Sequence, residues 1–425
     1  MAKEHLIEVV LFDTEIGKLG FDVDQRKSFF QYNPDFLESG CCTRIFPYLI
    51  KRIANTQVFS QFEGTTFRGL PPMIADSLPD SFGNIILKEW LNANNKDFDK
   101  ITPLEQLAYV GNRGMGALEY KPVKEIPISS SVNIQEIVEV LNNVLYSKKG
   151  IHENKLNDLS LLNMFKIGTS AGGARPKIIL SEHKQTKEII PGDLEFSNDY
   201  NHYIVKLCLD EKEGYNKERV EYIYYQLATM AGLHMMPSKI IDNKHFATLR
   251  YDRQEGEKTH VLTVSGLTGW DFMKSEHFSY ENIFKLMLDL KVPYRDLQEM
   301  YRRMIFNVVF ANIDDHLKNH SFIYNKEKDN WCLGPAYDIT YPLNLKLNYL
   351  SLTRALSINE KRTNITLKDV LAVAEAFSIK NPKKIIQEVQ SVLPLWNELA
   401  LEEHIPEFAI NGIRKEFRIL MEYPI

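Results

Sequence analysis

Asn312-Ile313-Asp314-Asp315-His316-Leu317-Lys318-Asn319, answered downstream by Gly334-Pro335-Ala336-Tyr337-Asp338, is the part of this chain whose reading decides the fold. Asp314 and Asn319 stand five positions apart, the Asp-x-x-x-x-Asn spacing of phosphoryl-transfer catalytic loops. Asp338 follows Asn319 by 19 positions, enough for one short hairpin between them. Phosphoryl transfer needs an acidic group beside the attacking hydroxyl and oxygen ligands that hold Mg²⁺ against nucleotide phosphates. Taken singly, each of these residues is an ordinary loop residue, since Asp and Asn cap helices and close turns. Taken as a set they point to chemistry.

The rest of the chain bounds that reading. At 425 residues it is too long for one ordinary core and is expected to divide into two or three lobes. A composition of 44% hydrophobic and 25% charged residues is that of a soluble globular protein. The net charge of −5 offers no global basic field for nucleic acid. Cys41, Cys42, Cys208 and Cys332 form no CxxC pair and are too few for a disulfide scaffold, which suggests reduced thiols. The N-terminus runs directly into the strand-like Leu6–Asp13, unlike a signal peptide, and no uncharged stretch approaches the roughly 20 residues that span a bilayer. A cytoplasmic protein without membrane contact is expected.

Along the chain, residues 1 to about 60 read as short β elements punctuated by Gly17, Gly20 and Asn33-Pro34. Leu78-Pro-Asp-Ser-Phe-Gly-Asn84 leads into a helix over Ile85–Leu91, with Asp80 or Ser81 as its cap. Leu104–Val110 is helical until Gly111, Gly114 and Gly116 break it, and Asn133–Tyr146 is amphipathic. The polar run Ser147–Lys155 reads as a linker, placing the main boundary near residue 150. Beyond Phe165 come strands around a Gly-rich turn, a helix over Glu218–Met230, and strands at His245–Asp252 and Val261–Ser265. After Tyr280 the chain is mostly helical. Strands first and helices later, with the Gly-rich turn early and the acidic loop late, is the order of a bilobed kinase. The expected units are 1–150, β-rich and helical; 151–265, a nucleotide-binding small lobe; and 266–425, a helical lobe carrying the catalytic and metal-binding loops.

Each candidate residue has a role in that scheme. Leu297, Met300, Tyr301, Met304, Ile305 and Val308 form one stripe, so the helix before Asp314 is anchored and its loop is held at the base. Asp314 is assigned to orient and deprotonate the acceptor hydroxyl, Asn319 to an Mg²⁺, and Asp338 to the Mg²⁺ bridging the phosphates. Asp315 is the rival of Asp314, but the five-residue spacing selects Asp314. His316 and His320 are four apart, yet without an adjacent Glu they make a poor metal pair, and His316 is read as bracing the loop by hydrogen bonds. His316 and Lys318 are also counted with the nucleotide-binding residues. In Lys166–Leu180, Ser170, Ala171, Gly172 and Gly173 free the backbone N–H groups to converge on phosphate oxygens, and Arg175 and Lys177 add positive charge. The turn is neither Walker A nor GxGxxG, and alone it would read as a plain hairpin. In Tyr203–Leu209 alternation puts Lys206 on a face shared with Ile204 and Cys208, where an ammonium needs a carboxylate partner. Glu221 is preferred for that partner and Glu218 is the alternative. Leu249-Arg-Tyr-Asp-Arg253 stands where a hinge would meet adenine, which makes Leu249 and Tyr251 candidate nucleotide contacts.

With these residues together, the chain resembles the HipA family, the serine/threonine-kinase toxins of bacterial type II toxin–antitoxin modules. Four stretches carry the resemblance: Leu78-Pro-Asp-Ser-Phe-Gly83, Ser170-Ala-Gly-Gly-Ala-Arg-Pro-Lys177, Asp314-Asp-His-Leu-Lys-Asn-His-Ser321 and Leu333-Gly-Pro-Ala-Tyr-Asp-Ile339. Ser279-Tyr-Glu281 is a weaker fifth. The resemblance implies an α+β fold: a bilobed, protein-kinase-like and phosphoinositide-kinase-like pair of lobes behind an N-terminal β-rich subdomain. It implies an ATP- and Mg²⁺-dependent kinase acting as a growth-inhibiting toxin on a translation-related protein of the aminoacyl-tRNA synthetase class. A helix-turn-helix antitoxin is the implied partner, with DNA reached only through it. Ser170 is the implied autophosphorylation site, with Thr169 the adjacent alternative; a phosphate of about −2 charge there would compete with nucleotide phosphates for the same N–H groups. The loop departs from commoner members in carrying Gly-Ala-Arg-Pro-Lys where they have Gly-Ala-Gln-Glu-Lys, and Leu249 stands where some have Glu. Two other readings stand beside this one: a small-molecule kinase, and a catalytically silent nucleotide-binding partner of a DNA-binding antitoxin.

Overall fold

A computed structural model of the chain describes residues 6–79, 81–93, 95–124, 133–146, 175–192, 197–209, 213–347, 349 and 351–422. Its first layer is a five-stranded antiparallel sheet in the order Gln57–Phe59, Lys27–Tyr32, Thr14–Asp22, Leu6–Leu11, Leu118–Lys121. The strand expected to reach Asp13 stops at Leu11, because Phe12 and Asp13 both take positive φ (48° and 61°) and form a two-residue hairpin turn. Such a turn matches the right-handed twist of the strands it joins.

The second sheet runs Ile189–Pro191, Lys177–His183, Tyr200–Lys206, His245–Leu249, Ser238–Ile241, and pairs Lys177 and Phe246 with Lys206 across the ladder. Helix Lys217–Met230 packs against it, started by Asn216, whose side chain accepts from Arg219 N at 2.9 Å. A third sheet, Val261–Thr263, Ser321–Asn325 and Asn330–Leu333, carries the chain from the acidic loop towards Asp338. The strand expected over Val261–Ser265 ends at Thr263, where a helix Val264–Thr268 begins. The cause is distant in sequence: Asp76 accepts from both Thr263 N and Thr263 Oγ1 at 2.8 Å, and Thr263 Oγ1 in turn accepts from Gly266 N.

The helical layer contains Tyr280–Asp289, Tyr294–Val309, Leu367–Ala376, Pro382–Gln390, Trp396–Glu402 and Glu407–Arg414. Leu297, Met300, Tyr301, Met304, Ile305 and Val308 are all buried, the stripe expected from their spacing. Ala311, at φ 53°, takes the left-handed conformation that ends this helix and releases the chain into the acidic loop.

One hydrophobic cluster joins Phe82, Ile86 and Trp90 of helix Ser81–Ala93 and Ile134, Ile137 and Leu141 of helix Ile134–Tyr146 to Ile178, Leu180, Tyr203 and Val205 of the second sheet. Side chains from before and after the expected boundary near residue 150 therefore share a core, and the boundary itself lies outside the described residues. Among the described residues no helix is long and apolar enough to cross a membrane. The architecture is α+β and bilobed, with the acidic loop mounted between the third sheet and the helical layer.

Candidate active site

The buried end of the site is an ion cluster. Lys206 Nζ lies 2.6 Å from Glu221 Oε1 and also donates to Asp338 Oδ1, joining the second sheet, its helix and the Ala336-Tyr337-Asp338 turn at one ammonium. Both Lys206 and Glu221 are buried. Glu218, one turn earlier, is buried too but does not take the Lys206 bond among the described residues. Burial alone would drive the Lys206 ammonium towards neutrality, but Asp338 and Glu221 outweigh it and keep the group charged. For Asp338 the balance runs the other way. Burial pushes its carboxyl up, yet Lys206, Lys177 and Arg175 together hold it well below the usual carboxylate range. Three cations thus converge on one ionised acid, an arrangement suited to a polyanion. Asp338 itself sits at φ 55°, a conformation uncommon outside glycine and best tolerated by Asn and Asp.

The exposed end is the acidic loop. Asp314 and Asp315 are adjacent in sequence and opposite in environment. Asp315 is buried and committed: it accepts from Tyr280 Oη at 2.7 Å, Arg354 Nη2 at 2.5 Å and Leu356 N at 3.3 Å. Asn307 donates to Tyr280 Oη at 2.9 Å, and Asn312 to Asn307 Oδ1 at 3.0 Å, extending this polar network under the loop. Asp314 is exposed at the loop surface. Desolvation by its neighbours raises its carboxyl above the ordinary value; His316 opposes, Asp338 and Asp315 raise it further, and Arg175 opposes again. The effect of the Asp338 charge at Asp314 puts the two acids within electrostatic range of one another.

Asn319 closes the loop on itself, its Nδ2 donating to Asp314 O at 2.7 Å and its backbone N–H to His316 O at 2.8 Å. With the amide nitrogen so engaged, the Asn319 side-chain oxygen is the atom left for a cation. The expected bracing by His316 comes from that carbonyl rather than from its ring. Among the described residues His316 Nδ1 has no hydrogen-bond partner, and the ring lies against Phe272. His320 is buried against Tyr280, and burial lowers its pKa to about 3. Lys318 O accepts from Tyr337 Oη at 2.7 Å, which ties the acidic loop to the turn before Asp338.

At the expected hinge, Leu249 N–H donates to Pro237 O and Arg250 N–H to His202 O, so both groups are taken within the lobe. Tyr251 shares a 2.8 Å hydrogen bond with Ser321 Oγ and stacks on Tyr337, 6.3 Å between ring centroids. Its side chain supports the turn beneath Asp338. Ser170, Ala171, Gly172, Gly173 and the alternative Thr169 lie outside the described residues.

Sequence reasoning missed Arg354, the main partner of Asp315, and the pair Asp252 and Arg253. A solitary arginine in Leu-Thr-Arg-Ala-Leu carries no periodic signal that it is buried. Asp252 accepts from Arg250 and Arg253, and its Oδ2 also accepts from Gly116 N at 2.8 Å. Arg253 donates to Gly116 O at 2.7 Å and Gly114 O at 2.8 Å. Here the glycines expected only to break a helix let the N-terminal backbone approach the hinge.

Residues 169–396 match the HipA-like C-terminal domain and residues 7–121 the HipA N-terminal domain. The chain belongs to the HipA family. Its fold is that of the HipA in a Shewanella oneidensis MR-1 toxin–antitoxin complex with HipB and operator DNA: TM-score 0.64 over 96% of each chain, at 16% identity. A proinflammatory kinase of Helicobacter pylori, CtkA, aligns with 51% of this HipA-family chain and 85% of its own, with 11% identity and a TM-score of 0.35, too low to establish a shared fold. In sequence, the chain is 26% identical over 153 residues to a putative kinase, Y4dM, of Sinorhizobium fredii. That alignment spans 32% of this chain and 36% of the relative, so it covers about a third of either protein.

Proposed function

We propose that this HipA-family chain is an ATP- and Mg²⁺-dependent protein serine/threonine kinase that acts as a growth-inhibiting toxin. The observation that supports the reading is the Lys206–Glu221–Asp338 cluster, with Arg175 and Lys177 adding charge, and Asp314, whose backbone carbonyl accepts from Asn319, within electrostatic range of Asp338. Asn and Asp oxygens suit Mg²⁺, which keeps few protein ligands and takes the rest from phosphates and water. Asn319 Oδ1 and the Asp338 carboxylate would hold it, and its charge would neutralise the phosphate oxygens as the bond to the leaving group breaks.

The chain's own residues do the remainder. Lys206, oriented by Glu221, holds the nucleotide phosphates together with Lys177, and Lys318 and His316 are assigned to the same task from the acidic loop. The Ser170–Gly173 backbone is assigned to cover them, with Leu249 and Tyr251 at the adenine end. Asp314, exposed and with a raised pKa, orients the acceptor hydroxyl and takes its proton. The acceptor class proposed is a translation-related protein of the aminoacyl-tRNA synthetase kind, with Ser170 as the site of self-phosphorylation. A helix-turn-helix antitoxin is the proposed partner, in line with the HipB and operator DNA of the Shewanella complex.

Purified chain and γ-labelled ATP test this. Wild type should label a protein acceptor and itself. Asp314→Asn should reduce transfer by about 10²- to 10⁴-fold, the usual worth of a proton-transfer group, without loss of nucleotide binding. Ser170→Ala should abolish self-labelling. The kinase reading fails if wild type labels nothing in a lysate and Asp338→Asn binds ATP as wild type does. Label appearing on a metabolite would instead mean a small-molecule kinase.

A further inference from the structure

Two side chains of the acidic loop meet one aromatic ring that no motif marks. Phe272 lies in the strap between helix Val264–Thr268 and helix Tyr280–Asp289. Its ring centroid is 5.6 Å from that of His316, and Lys318 Nζ lies 4.9 Å from it. That second distance is within cation–π range.

The strap is placed independently of the loop. Gly269, at φ 74°, turns the chain where a Cβ would meet Phe62, Leu49 and Pro72, so the N-terminal subdomain sets the turn. Thr66 Oγ1 then donates to Asp271 Oδ1 at 2.6 Å, and Trp270 stacks on His277 with 4.9 Å between centroids. At the far end Phe278 O accepts from Ser357 N at 2.8 Å. Phe272 is therefore held from both sides. The Lys318 backbone is fixed separately by Tyr337, whereas its side chain is a long flexible stem whose head needs its own anchor.

We propose that Phe272 is a positioning residue for the kinase reaction: its ring holds the Lys318 ammonium in register with the phosphate being transferred. Through Thr66 and Asp271 the N-terminal subdomain thereby supports the active site. This rests on the kinase reading above, because the purpose of Lys318 does.

Three variants and their combination decide it: Phe272→Tyr, which keeps the ring, Phe272→Leu, which keeps most of the bulk, Lys318→Met, and the Phe272→Leu/Lys318→Met double variant. The first readout is NMR of ¹³C-labelled lysine, with Lys318 assigned by its absence in Lys318→Met. The Lys318 ε-methylene should be shifted upfield by the ring in wild type and Phe272→Tyr, and should return to the free-lysine position in Phe272→Leu. The second readout is kinetic. Phe272→Leu should lower kcat about two- to fivefold, the worth of an exposed cation–π contact, with nucleotide KM unchanged. It should cost nothing further in the Lys318→Met background. A Lys318 resonance that ignores Phe272, or losses that simply multiply in the double variant, overturns the proposal. If the ring shift is present but wild type transfers no phosphate, the kinase reading falls, and with it the catalytic purpose of the contact, while the placement of Lys318 stands.

Discussion

Asp314 and Asp315 differ by one position and by every physical property that matters to a reaction. Asp315 is saturated by Tyr280, Arg354 and Leu356, which leaves it nothing to offer a substrate. Asp314 stays exposed at the loop surface, and desolvation by the neighbouring groups, with Asp338 and Asp315, raises its pKa against the pull of His316 and Arg175. A raised carboxyl is a better proton acceptor near neutrality, and the base form is lost as pH falls through the raised value. The acid limb of a pH–rate profile should therefore lie above the usual Asp range of about 4. His316→Gln removes the largest opposing charge, so it should move that limb to higher pH. A limb that moves down, or stays still, would mean that some other group titrates.

The Lys206–Glu221–Asp338 cluster ties three elements, and its energetics belong to their contact. Desolvating three charges is expensive, and the cluster persists because each charge has a partner. Lys206→Met would leave Glu221 a buried carboxylate without its hydrogen-bonded ammonium, with only the Arg175 charge to oppose its burial. The expected loss is about 3–5 kcal/mol of stability, read from urea unfolding, together with loss of ATP binding. Glu221→Gln/Lys206→Met should recover much of that stability but, on the kinase reading, none of the binding, since the ammonium proposed to hold phosphate is still gone. Recovery of both would show that the cluster is structural only. Asp338 adds a pH dependence of defined sign. Its pKa is depressed in the fold, so its stabilising share is present above the unfolded value of about 4 and is lost as pH falls through the folded value.

Across the whole molecule, the N-terminal subdomain touches the rest of the chain through polar joints, one of them buried, rather than through a loose tether. Asp252 is fully buried; burial pushes its carboxyl up, but Arg250 and Arg253 hold it far below the ordinary range. Arg253 reaches across to Gly114 O and Gly116 O. A second joint links Asp329 to Thr43 and Arg44, the bond to Arg44 N measuring 2.9 Å, and Trp331 Nε1 donates to Arg44 O at 2.8 Å. Unfolding should accordingly be a single cooperative event by calorimetry. Arg253→Met should cost about 1–3 kcal/mol by leaving the Gly116 carbonyl without its donor, while Asp252 keeps Arg250 and Gly116 N as partners. It should also split the transition into two. A variant that still melts in one step at the wild-type temperature would show that the joint carries no coupling.

The acidic loop, the Asp338 turn, the amphipathic helices and the order of strands before helices were legible because they are local patterns: fixed spacings, periodicity and turn chemistry. Lys206 was legible too, as a charge on an apolar strand face that must find a carboxylate. Spacing to Asn319 preferred Asp314 over Asp315, but local pattern gave no role to Asp315. That Asp315 is an anchor depends on Arg354 and Tyr280, 39 and 35 positions away, and on which side of the loop faces the core. Likewise the early end of the strand at Thr263 follows from Asp76, and the roles of Gly114 and Gly116 follow from Arg253. The chain's own order thus determined which chemical groups are present and which elements carry them. Which of them are saturated and which are left free to act was decided by long-range burial, because a charge placed out of water must be met by whatever partner the tertiary fold delivers.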